Sequence, residues 1–463
     1  MGLPVPVGRQ SDAVYMKPQG HLVVLGTAGT GKTVMAILRA QYLAHPSTAN
    51  SGRTALLTFN RSLAAYLRHL GGSQEHVVIE NYHTFAKGYL SSLGLMGSAC
   101  IARPELREEL IQRSVVEVAV GYRPHKFFEQ PTEFFSDELA WIDGHGLDSL
   151  AQYLATPRTG RMDPLQPPQR KALWAIRTAY RRRLAAANKR YDWPSVAPAV
   201  NQALREDDRP RRYRHIVVDE AQDLSPEAIR SLAAAIPPEG SLTLFADYAQ
   251  QVSGQRTSWK TCGLTVQKIE RFVDNYRNSP EIARLAIAMA DMPHFRDSTD
   301  LVEPKAPQRA AGTKPTLVQC RSEEDEISTI VAAALAASGG SARVGVLART
   351  RAEARKAIRG IPGARTFHGD MNQWSMAAGV WAGTYHSAKG LEFDTVLLPF
   401  CGSTRMPDPG VVDAFGADEA RSRESRLLYV GVTRARSEVV ITYTGQLTPL
   451  LPPPSSNLYQ VVS

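Results

Sequence analysis

Cysteine is scarce in this sequence, with four residues in 463 and no C-x-x-C pair. They are Cys100, Cys262, Cys320 and Cys401. Zinc sites, iron–sulfur clusters and disulfide frameworks need closely or regularly spaced cysteines, so the sequence gives no case for any of them. The start of the chain lacks the charged-then-apolar pattern of a signal peptide, and no apolar run approaches about 18 residues. We therefore expect a reduced, cytoplasmic protein without a membrane partner.

Acidic residues are outnumbered, at 45 Asp plus Glu against 54 Lys plus Arg. The imbalance is concentrated in residues 158–190, where ten basic residues accompany one acid, Asp163, and the aromatics Trp174 and Tyr180. Such a run is either a solvated helix face or a surface that follows the phosphates of a nucleic acid. The basic residues are Arg158, Arg161, Arg170, Lys171, Arg177, Arg181, Arg182, Arg183, Lys189 and Arg190.

Hydrophobic periodicity separates alternating regions from a helical one, in a chain long enough for about three domains. Residues 1–90 and 206–275 alternate short apolar runs with helical patterns, which favours a doubly wound parallel sheet. Residues 91–205 look mostly helical, and we interpret them as an inserted domain. A second alternating region covers 276–446, and a Pro-rich tail covers 447–463. We expect an α/β fold with two parallel-sheet domains and a helical insertion in the first.

The segment "YVGVTRAR" (429–436) joins an apolar run to two arginines. We predict a buried strand over residues 429–432, running straight into Thr433, Arg434 and Arg436. A core strand that ends in two guanidiniums is either capped by solvent or directed at an anion.

The segment "GTAGTGKT" (26–33) satisfies G-x-x-x-x-G-K-[ST] after an apolar strand pattern and before a helical one. In a phosphate-binding loop of this type, glycines let backbone N–H groups close on phosphate oxygens. Lys32 would reach the β- and γ-phosphates, and the Thr33 hydroxyl would complete the coordination of Mg²⁺. The predicted ATP-binding residues of the loop are Gly26, Thr27, Ala28, Gly29, Thr30, Gly31, Lys32 and Thr33.

Two adjacent carboxylates follow a second apolar strand pattern in "IVVDEAQD" (216–223). Asp219 can hold hydrated Mg²⁺, and Glu220 can orient and deprotonate an attacking water, which are the parts that phosphoryl transfer needs. An isolated Asp–Glu pair is usually a cap or a solvated turn. In the same chain as a phosphate-binding loop, the pair predicts an NTPase.

Taken in order, the motifs resemble those of UvrD/Rep/PcrA-type superfamily 1 DNA helicases. The family implies two RecA-like domains with ATP between them, and the resemblance covers both alternating regions. The matching segments are "RQSDAV" (9–14), "GTAGTGKT", "TFN" (58–60), "TF" (84–85), "DEAQD" (219–223), "ADYAQ" (246–250), "NYRNS" (275–279), "TYHSAKGLEF" (384–393) and "YVGVTRAR".

The resemblance assigns roles around ATP and Mg²⁺. Arg434 and Arg277 would reach the γ-phosphate from the second domain when the cleft closes. Gln10 resembles the glutamine that reads adenine, and Tyr276 the ring that stacks on it. The remaining two are Gln250, which would link the γ-phosphate to the DNA track, and Glu392, near the ribose.

The resemblance also implies a track for single-stranded or tailed DNA, in which aromatic rings stack on bases and hydroxyls and amides hold phosphates. The matching positions are Phe59, Asn60, Thr84, Phe85, Arg256, Thr384, His386 and Ser387.

The chain departs from the family pattern in three places. Val34 stands where many relatives have the arginine that sandwiches adenine, and Gln255 replaces the tryptophan of a W-R-G-A stretch. Between Arg277 and Thr384 lie 106 residues, which leaves no room for the regulatory domain that large relatives insert there. Only 18 residues follow Gly445, so we expect no fused nuclease. The result resembles a minimal helicase of the kind found beside nucleases in phage-defence systems such as Gabija.

Two functions of different classes compete. The first is an ATP-dependent single-strand DNA translocase and helicase, with 3′-to-5′ polarity implied by the family and a role in DNA repair or antiviral defence. The second is an ATPase switch that responds to DNA or nucleotides and regulates a partner nuclease without unwinding. A stand-alone nuclease is disfavoured, because no clustered carboxylates for a two-metal site occur outside the ATP motifs.

Overall fold

Two parallel β-sheets form the framework of the computed structural model. It describes residues 3–27, 29–58, 61–71, 76–97, 99–123, 125–158, 161, 165–247, 259, 262–272, 274–295, 312–368 and 377–462. The first sheet has the order β3-β2-β4-β5-β1-β6 and the second β13-β7-β12-β11-β8-β10-β9. The strands are β1 Gly20–Gly26, β2 Thr54–Thr58, β3 Val77–Asn81, β4 His215–Val218, β5 Ser241–Ala246, β6 Val266–Phe272, β7 Thr316–Cys320, β8 Arg343–Ala348, β9 Arg365–Thr366, β10 Gly379–Thr384, β11 Phe393–Leu398, β12 Ala435–Thr444 and β13 Gln460–Val462.

Fifteen α-helices accompany these strands in the described ranges. They are α1 Arg9–Val14, α2 Lys32–Ala44, α3 Arg61–Gly71, α4 Tyr82–Ser92, α5 Pro104–Ala119, α6 Thr132–Gly144, α7 Leu150–Ala155, α8 Pro167–Ala186, α9 Trp193–Glu206, α10 Pro226–Ala234, α11 Pro280–Ala290, α12 Glu323–Ala337, α13 Arg351–Ala357, α14 Pro409–Phe415 and α15 Ala417–Thr433. No helix of the described ranges is long and apolar enough to span a bilayer. The α/β class with two parallel-sheet domains is confirmed.

Central strands of both sheets are buried on both faces. Every residue of β4 and β5 is buried, and β8 and β11 are nearly as enclosed. This is the pattern of a parallel sheet whose two faces are covered, and it explains why these strands read as continuous apolar runs. Since all strands of a sheet run the same way, their carboxyl ends meet at one edge, where ligands bind in open α/β folds.

The helices between the two parts of the first sheet have a core of their own. Aromatic and aliphatic side chains of α5, α6 and α8 pack around Trp141, Phe135 and Tyr180. The last helix of this stretch, α9, instead joins the core of the first sheet through Val196 and Val200. The domain boundaries stated from the sequence remain predictions.

The predicted strand over residues 429–432 is wrong, because these residues form the last turn of α15. A short apolar run is compatible with a buried strand or a buried helix, since periodicity disappears when every side is covered. From Glu424 to Thr433 every residue of α15 is buried. The helix ends at Thr433, Arg434 caps it, and β12 begins at Ala435. Arg434 and Arg436 therefore lie at a junction between a helix and a strand.

The two sheets contact each other through buried polar and apolar groups. Lys389 Nζ lies 2.5 Å from Asp223 Oδ1, and both side chains are almost fully buried. Gly390, which follows Lys389, packs against Leu63 so closely that a Cβ there would lie 2.5 Å from its side chain. This ion pair and this close approach hold the carboxyl-end edges of the two sheets together.

Candidate nucleotide site and DNA track

Three strands of the first sheet deliver polar side chains to one place. The phosphate-binding loop follows β1, Asp219 follows β4, and Asp247 follows β5. In the sheet, β5 pairs with both β1 and β4, so the three carboxyl ends lie side by side. The topology alone therefore brings the loop lysine and the two carboxylates together.

The phosphate-binding loop is built around two left-handed glycines. Gly29 and Gly31 both have φ of +82°, a conformation that side-chain-bearing residues rarely adopt. Lys32 Nζ donates to Gly26 O (2.8 Å) and Thr27 O (2.7 Å), and it lies 3.4 Å from Asp247 Oδ2. The ammonium group is thus enclosed by the loop whose phosphates it is predicted to bind. Ala28 lies outside the described residues.

Gln10 and Tyr276 lie against the same loop. Gln10 Nε2 donates to Thr30 O (3.1 Å), and its Oε1 accepts from the Val7 backbone (3.1 Å). The Tyr276 backbone N–H donates to Gly29 O (2.8 Å), while its side chain is 37% exposed. One residue thus offers an amide and the other an accessible ring beside the loop. Both positions suit the predicted contacts with adenine.

Asp219 has an unsatisfied carboxylate. The residue is 1% exposed, and neither oxygen accepts a well-formed hydrogen bond from the described residues. Burial and the neighbouring Glu220 charge raise the pKa of this carboxyl, against the opposing effects of the Thr33 hydroxyl and Lys32. Two buried, unpartnered oxygens beside a hydroxyl are a fitting set for a hard divalent cation. The residues predicted to hold Mg²⁺, Thr33 and Asp219, therefore fit the ion.

Glu220 is held in a strained backbone conformation. Its φ of +56° and ψ of +43° lie in the left-handed region, and the side chain is 5% exposed. Gln222 Nε2 donates to its carboxylate. Burial alone would raise the pKa of Glu220, but the charges of Lys389, Lys32 and Arg434 outweigh it and lower the pKa. The carboxylate is therefore ionised at neutral pH, as a general base must be.

Arg434 acts on Glu220 from the second domain, and Arg277 lies near Arg434. Arg434 is 1% exposed, and its Nε donates to Val430 O (3.1 Å). Arg277 pairs with Glu392 at 2.6 Å. Burial and the repulsion of Arg277 lower the pKa of Arg434 to about 10, opposed by Glu220, Glu392 and Asp247. Two guanidiniums that repel each other in a buried site would be stabilised by an incoming anion.

Glu392 is engaged in ion pairs. Besides Arg277, it lies 3.6 Å from Arg436 Nε through its other oxygen. Arg436 is half-exposed. A contact between Glu392 and the ribose would share the carboxylate with these two arginines.

The predicted DNA contacts of the second sheet form a turn at the end of β10. Thr384 and Ser387 cap each other: Ser387 Oγ accepts from the Thr384 backbone (2.9 Å), and Thr384 Oγ1 from the Ser387 backbone (3.1 Å). His386 on this turn is exposed. The surrounding protein, Lys389 and Arg349 lower the pKa of His386 to about 4. It would meet DNA as a neutral imidazole.

On the first sheet the expectation for Phe85 is corrected. Its ring is 7% exposed and packs between Tyr82 and Tyr213, so in this structure it is a core residue. Its neighbour Thr84 is exposed in the first turn of α4. Sequence patterns could not separate the two, since burial depends on which helix face meets the sheet. Phe59, Asn60, Gln250 and Arg256 lie outside the described residues.

Thr84 borders a polar cavity that sequence reasoning missed. The cavity has a volume of about 270 Å³. It is lined by Arg61, Ala64, Arg68, Asn81 and Thr84. Two guanidiniums beside a hydroxyl and an amide suit a phosphate of the DNA backbone. The signal available in the sequence was the spacing of seven between the two arginines, which places them on one face of α3.

Most arginines of residues 158–190 pair with acidic side chains, some in buried positions and others at the surface. Asp143 accepts from Arg177 (2.7 Å) and Arg181 (2.8 Å), and Glu117 accepts from Arg182 and Arg183. Arg158 pairs with Glu138 at 2.8 Å and Arg161 with Asp137 at 2.5 Å. Arg170 donates to main-chain carbonyls. These pairs favour the solvated helix face over the phosphate-tracking surface. Their counter-charges lie on α5 and α6, which the local sequence does not reveal.

Three further charged residues of the cleft were not singled out from the sequence. Asp247 contacts Lys32, and its backbone N–H donates to Gln222 Oε1 (2.9 Å). Asp223 and Lys389 form the ion pair between the sheets. Each lies inside a motif already quoted, and Asp247 follows a predicted strand directly. Strand-end position was thus an available signal for Asp247 alone.

The chain matches two family models. The UvrD/REP helicase N-terminal domain matches residues 8–261, and the UvrD-like helicase C-terminal domain matches residues 371–446. The ATP-dependent DNA helicase UvrD2 of Mycobacterium tuberculosis H37Rv is 24% identical over 565 aligned residues, covering 95% of this chain and 79% of the relative. Because that alignment is longer than the 463 residues of the chain, the relative carries segments that this chain lacks.

Two local similarities accompany these matches. A probable DNA helicase II homologue of Rickettsia conorii is 42% identical over 60 residues, which is 13% of this chain and 9% of the relative. The C-terminal domain of a possible DNA helicase from Lactobacillus plantarum WCFS1 covers 40% of this chain and 98% of its own, at 18% identity and a TM-score of 0.29. The model for the N-terminal domain alone covers more than half of the sequence, and the chain therefore belongs to the UvrD/Rep helicase family.

Proposed function

We propose that this protein is an ATP-dependent translocase on single-stranded DNA and a helicase, which hydrolyses ATP between its two sheets and moves from 3′ to 5′. The observation that carries the proposal is that Lys32, Asp219 and Glu220 of the first domain lie together and that Arg434 of the second domain lies near Glu220. Arg277 lies near Arg434. The polarity and the use of DNA rest on membership of the helicase family.

Each side chain of the cleft has a part in phosphoryl transfer. Lys32 would bind the β- and γ-phosphates inside the glycine loop, and Gln10 and Tyr276 would contact the adenine. Glu220 would accept the proton of the attacking water, and Asp247 would keep Lys32 oriented. Mg²⁺ held by Thr33 and Asp219 would neutralise charge on the phosphates. Arg277 and Arg434 would stabilise the charge that develops on the γ-phosphoryl group.

Coupling to DNA would use the contacts between the sheets. Lys389 pairs with Asp223 of the "DEAQD" segment, and it follows the predicted DNA contact His386 by three residues. A change in the separation of the sheets moves this ion pair, the turn at His386 and the two arginines together. Repeated opening and closing would then advance the protein along a strand held at Thr84 and at Thr384.

The second candidate is an ATPase switch that gates a partner nuclease without unwinding. The described elements between Arg277 and Thr384 all belong to the second sheet or its helices, and the UvrD2 relative carries additional segments. A helicase without the inserted regulatory domain could depend on a partner for strand separation. This feature favours the switch as the alternative to the helicase.

Duplexes with a single 3′ tail or a single 5′ tail separate the two candidates. We expect ATP-dependent displacement from the 3′-tailed duplex, with ATP turnover recorded in the same reaction, and no displacement by Lys32→Ala. Displacement from the 5′-tailed duplex alone would overturn the polarity. Strong DNA-stimulated turnover without displacement of either duplex would contradict the helicase and support the switch.

A further inference from the structure

Asn278 binds the backbone on both sides of Arg434. The residue is 1% exposed and lies between β6 and α11, about 155 positions before the junction of α15 and β12. Its Nδ2 donates to Thr433 O (3.2 Å) and to Ala435 O (2.5 Å). One side-chain amide thus bridges the two carbonyls on either side of Arg434, which is predicted to reach the γ-phosphate.

The junction needs such a partner. The last carbonyls of a helix receive no hydrogen bond from an N–H group of the same helix. Thr433 is the last residue of α15, so its carbonyl needs a donor from another segment. Neighbouring bonds hold the remaining carbonyls: Arg434 O accepts from Phe393 N (3.0 Å), and Arg436 O accepts from Ser279 N (3.0 Å). Four consecutive carbonyls of the junction are therefore tied to other segments, and Asn278 supplies two of these ties.

The same amide is connected to the phosphate-binding loop. Asn275 Nδ2 donates to Asn278 Oδ1 (2.9 Å), and Asn275 Oδ1 accepts from the backbone of Arg277 (3.0 Å) and of Asn278 (3.1 Å). Asn275 also packs against Gly29: a Cβ added at Gly29 would lie 2.2 Å from Asn275 Oδ1. A continuous, buried chain of contacts therefore runs from Gly29 through both asparagines to Arg434.

We propose that Asn278 is a positioning residue for ATP hydrolysis: it fixes the main chain around Arg434, and so holds Arg434 and Arg277 in a single arrangement referenced to the phosphate-binding loop. The inference rests on the proposed function, because it assigns these arginines to the transfer step. The carboxamide of Asn278 has two N–H donors and one acceptor oxygen, and all three take part in hydrogen bonds. Displacement of a catalytic group by about 1 Å can cost about 10²-fold in rate.

The test compares Asn278→Ala with Asn201→Ala. Asn201 is also buried, at 6% exposure, and its Nδ2 also donates to a carbonyl, Glu227 O at 2.8 Å, but within the first domain. We expect Asn278→Ala to lower kcat for ATP about 10²-fold while KM for ATP stays within about threefold. ADP with aluminium fluoride, a mimic of the transferring phosphoryl group, would no longer be retained. Asn201→Ala would lower Tm but keep kcat and the retention of ADP–aluminium fluoride.

Asn278→Asp provides a second variant of almost unchanged size. It keeps the acceptor for Asn275 but loses both donations to the junction, so its kcat should fall with that of Asn278→Ala. Normal kcat in either folded variant would overturn the inference, and so would equal losses of Tm, ADP binding and kcat in Asn278→Ala and Asn201→Ala. Basal and DNA-stimulated turnover are both recorded. Wild-type turnover that is the same with and without DNA would contradict the proposed translocase. The comparison of Asn278→Ala with Asn201→Ala would still test the role of Asn278 in hydrolysis.

Discussion

Replacing Arg434 with alanine is expected to lower kcat for ATP by about 10³- to 10⁵-fold, the largest effect in the account. Arg434 carries its charge into a buried site beside Glu220 and Asp247, and burial together with Arg277 lowers its pKa to about 10. Its guanidinium would balance the charge that develops on the γ-phosphoryl group. Binding of ATP should change much less, because Lys32 and the glycine loop would supply the ground-state contacts.

Single-turnover hydrolysis at saturating ATP and single-stranded DNA measures this effect. Arg405→Ala is the matched control, since Arg405 is an arginine of the second domain that pairs with Glu353 and Glu323 outside the cleft. Arg434→Lys should recover little, because an ammonium group cannot present the planar fork of a guanidinium. Near-normal hydrolysis by Arg434→Ala would remove this residue from the transfer step.

Replacing Glu220 with glutamine is expected to lower kcat by about 10²- to 10⁴-fold, the range for loss of a general base. An amide of nearly the same size cannot accept the proton of the attacking water. The left-handed backbone at position 220, with φ of +56°, should be the same in the glutamine variant. Backbone strain of this type concentrates at functional sites. ATP should still bind, so the variant would accumulate in an ATP-bound form on DNA.

Equilibrium binding of a fluorescent ATP analogue and rapid-quench hydrolysis, run on the same preparation, separate binding from chemistry. Glu239→Gln serves as control, because Glu239 is a carboxylate of the first domain that pairs with Arg214 on the surface. A normal hydrolysis rate in Glu220→Gln would transfer the role of base to another group. Equal loss of binding and of rate would make Glu220 a structural residue.

Most of the scaffold of the cleft could be predicted from local patterns. The phosphate-binding loop and the Asp219–Glu220 pair stand at strand ends, and parallel topology brings the ends of β1 and β4 to the same edge. The last turn of α15 could not be predicted, since complete burial removes the helical period from the sequence. That Arg434 lies between a helix and a strand could therefore be seen only in the structure.

Contacts between distant residues explain the other differences. The arginines of α8 look like a free basic surface until Asp143 and Glu117 are brought against them by packing. Phe85 looks like a stacking ring until Tyr82 and Tyr213 enclose it. In each case the deciding partner comes from another element, and side-chain periodicity within one element cannot identify it.

Steady-state ATP hydrolysis by the purified protein, with and without single-stranded DNA, tests the central claim most directly. We expect strong stimulation by DNA in the wild type and none in Lys32→Ala, because Lys32 lies inside the predicted phosphate-binding loop. Turnover that is the same with and without DNA, in a protein that binds ATP through Lys32, would contradict a cleft whose closure is driven by the strand.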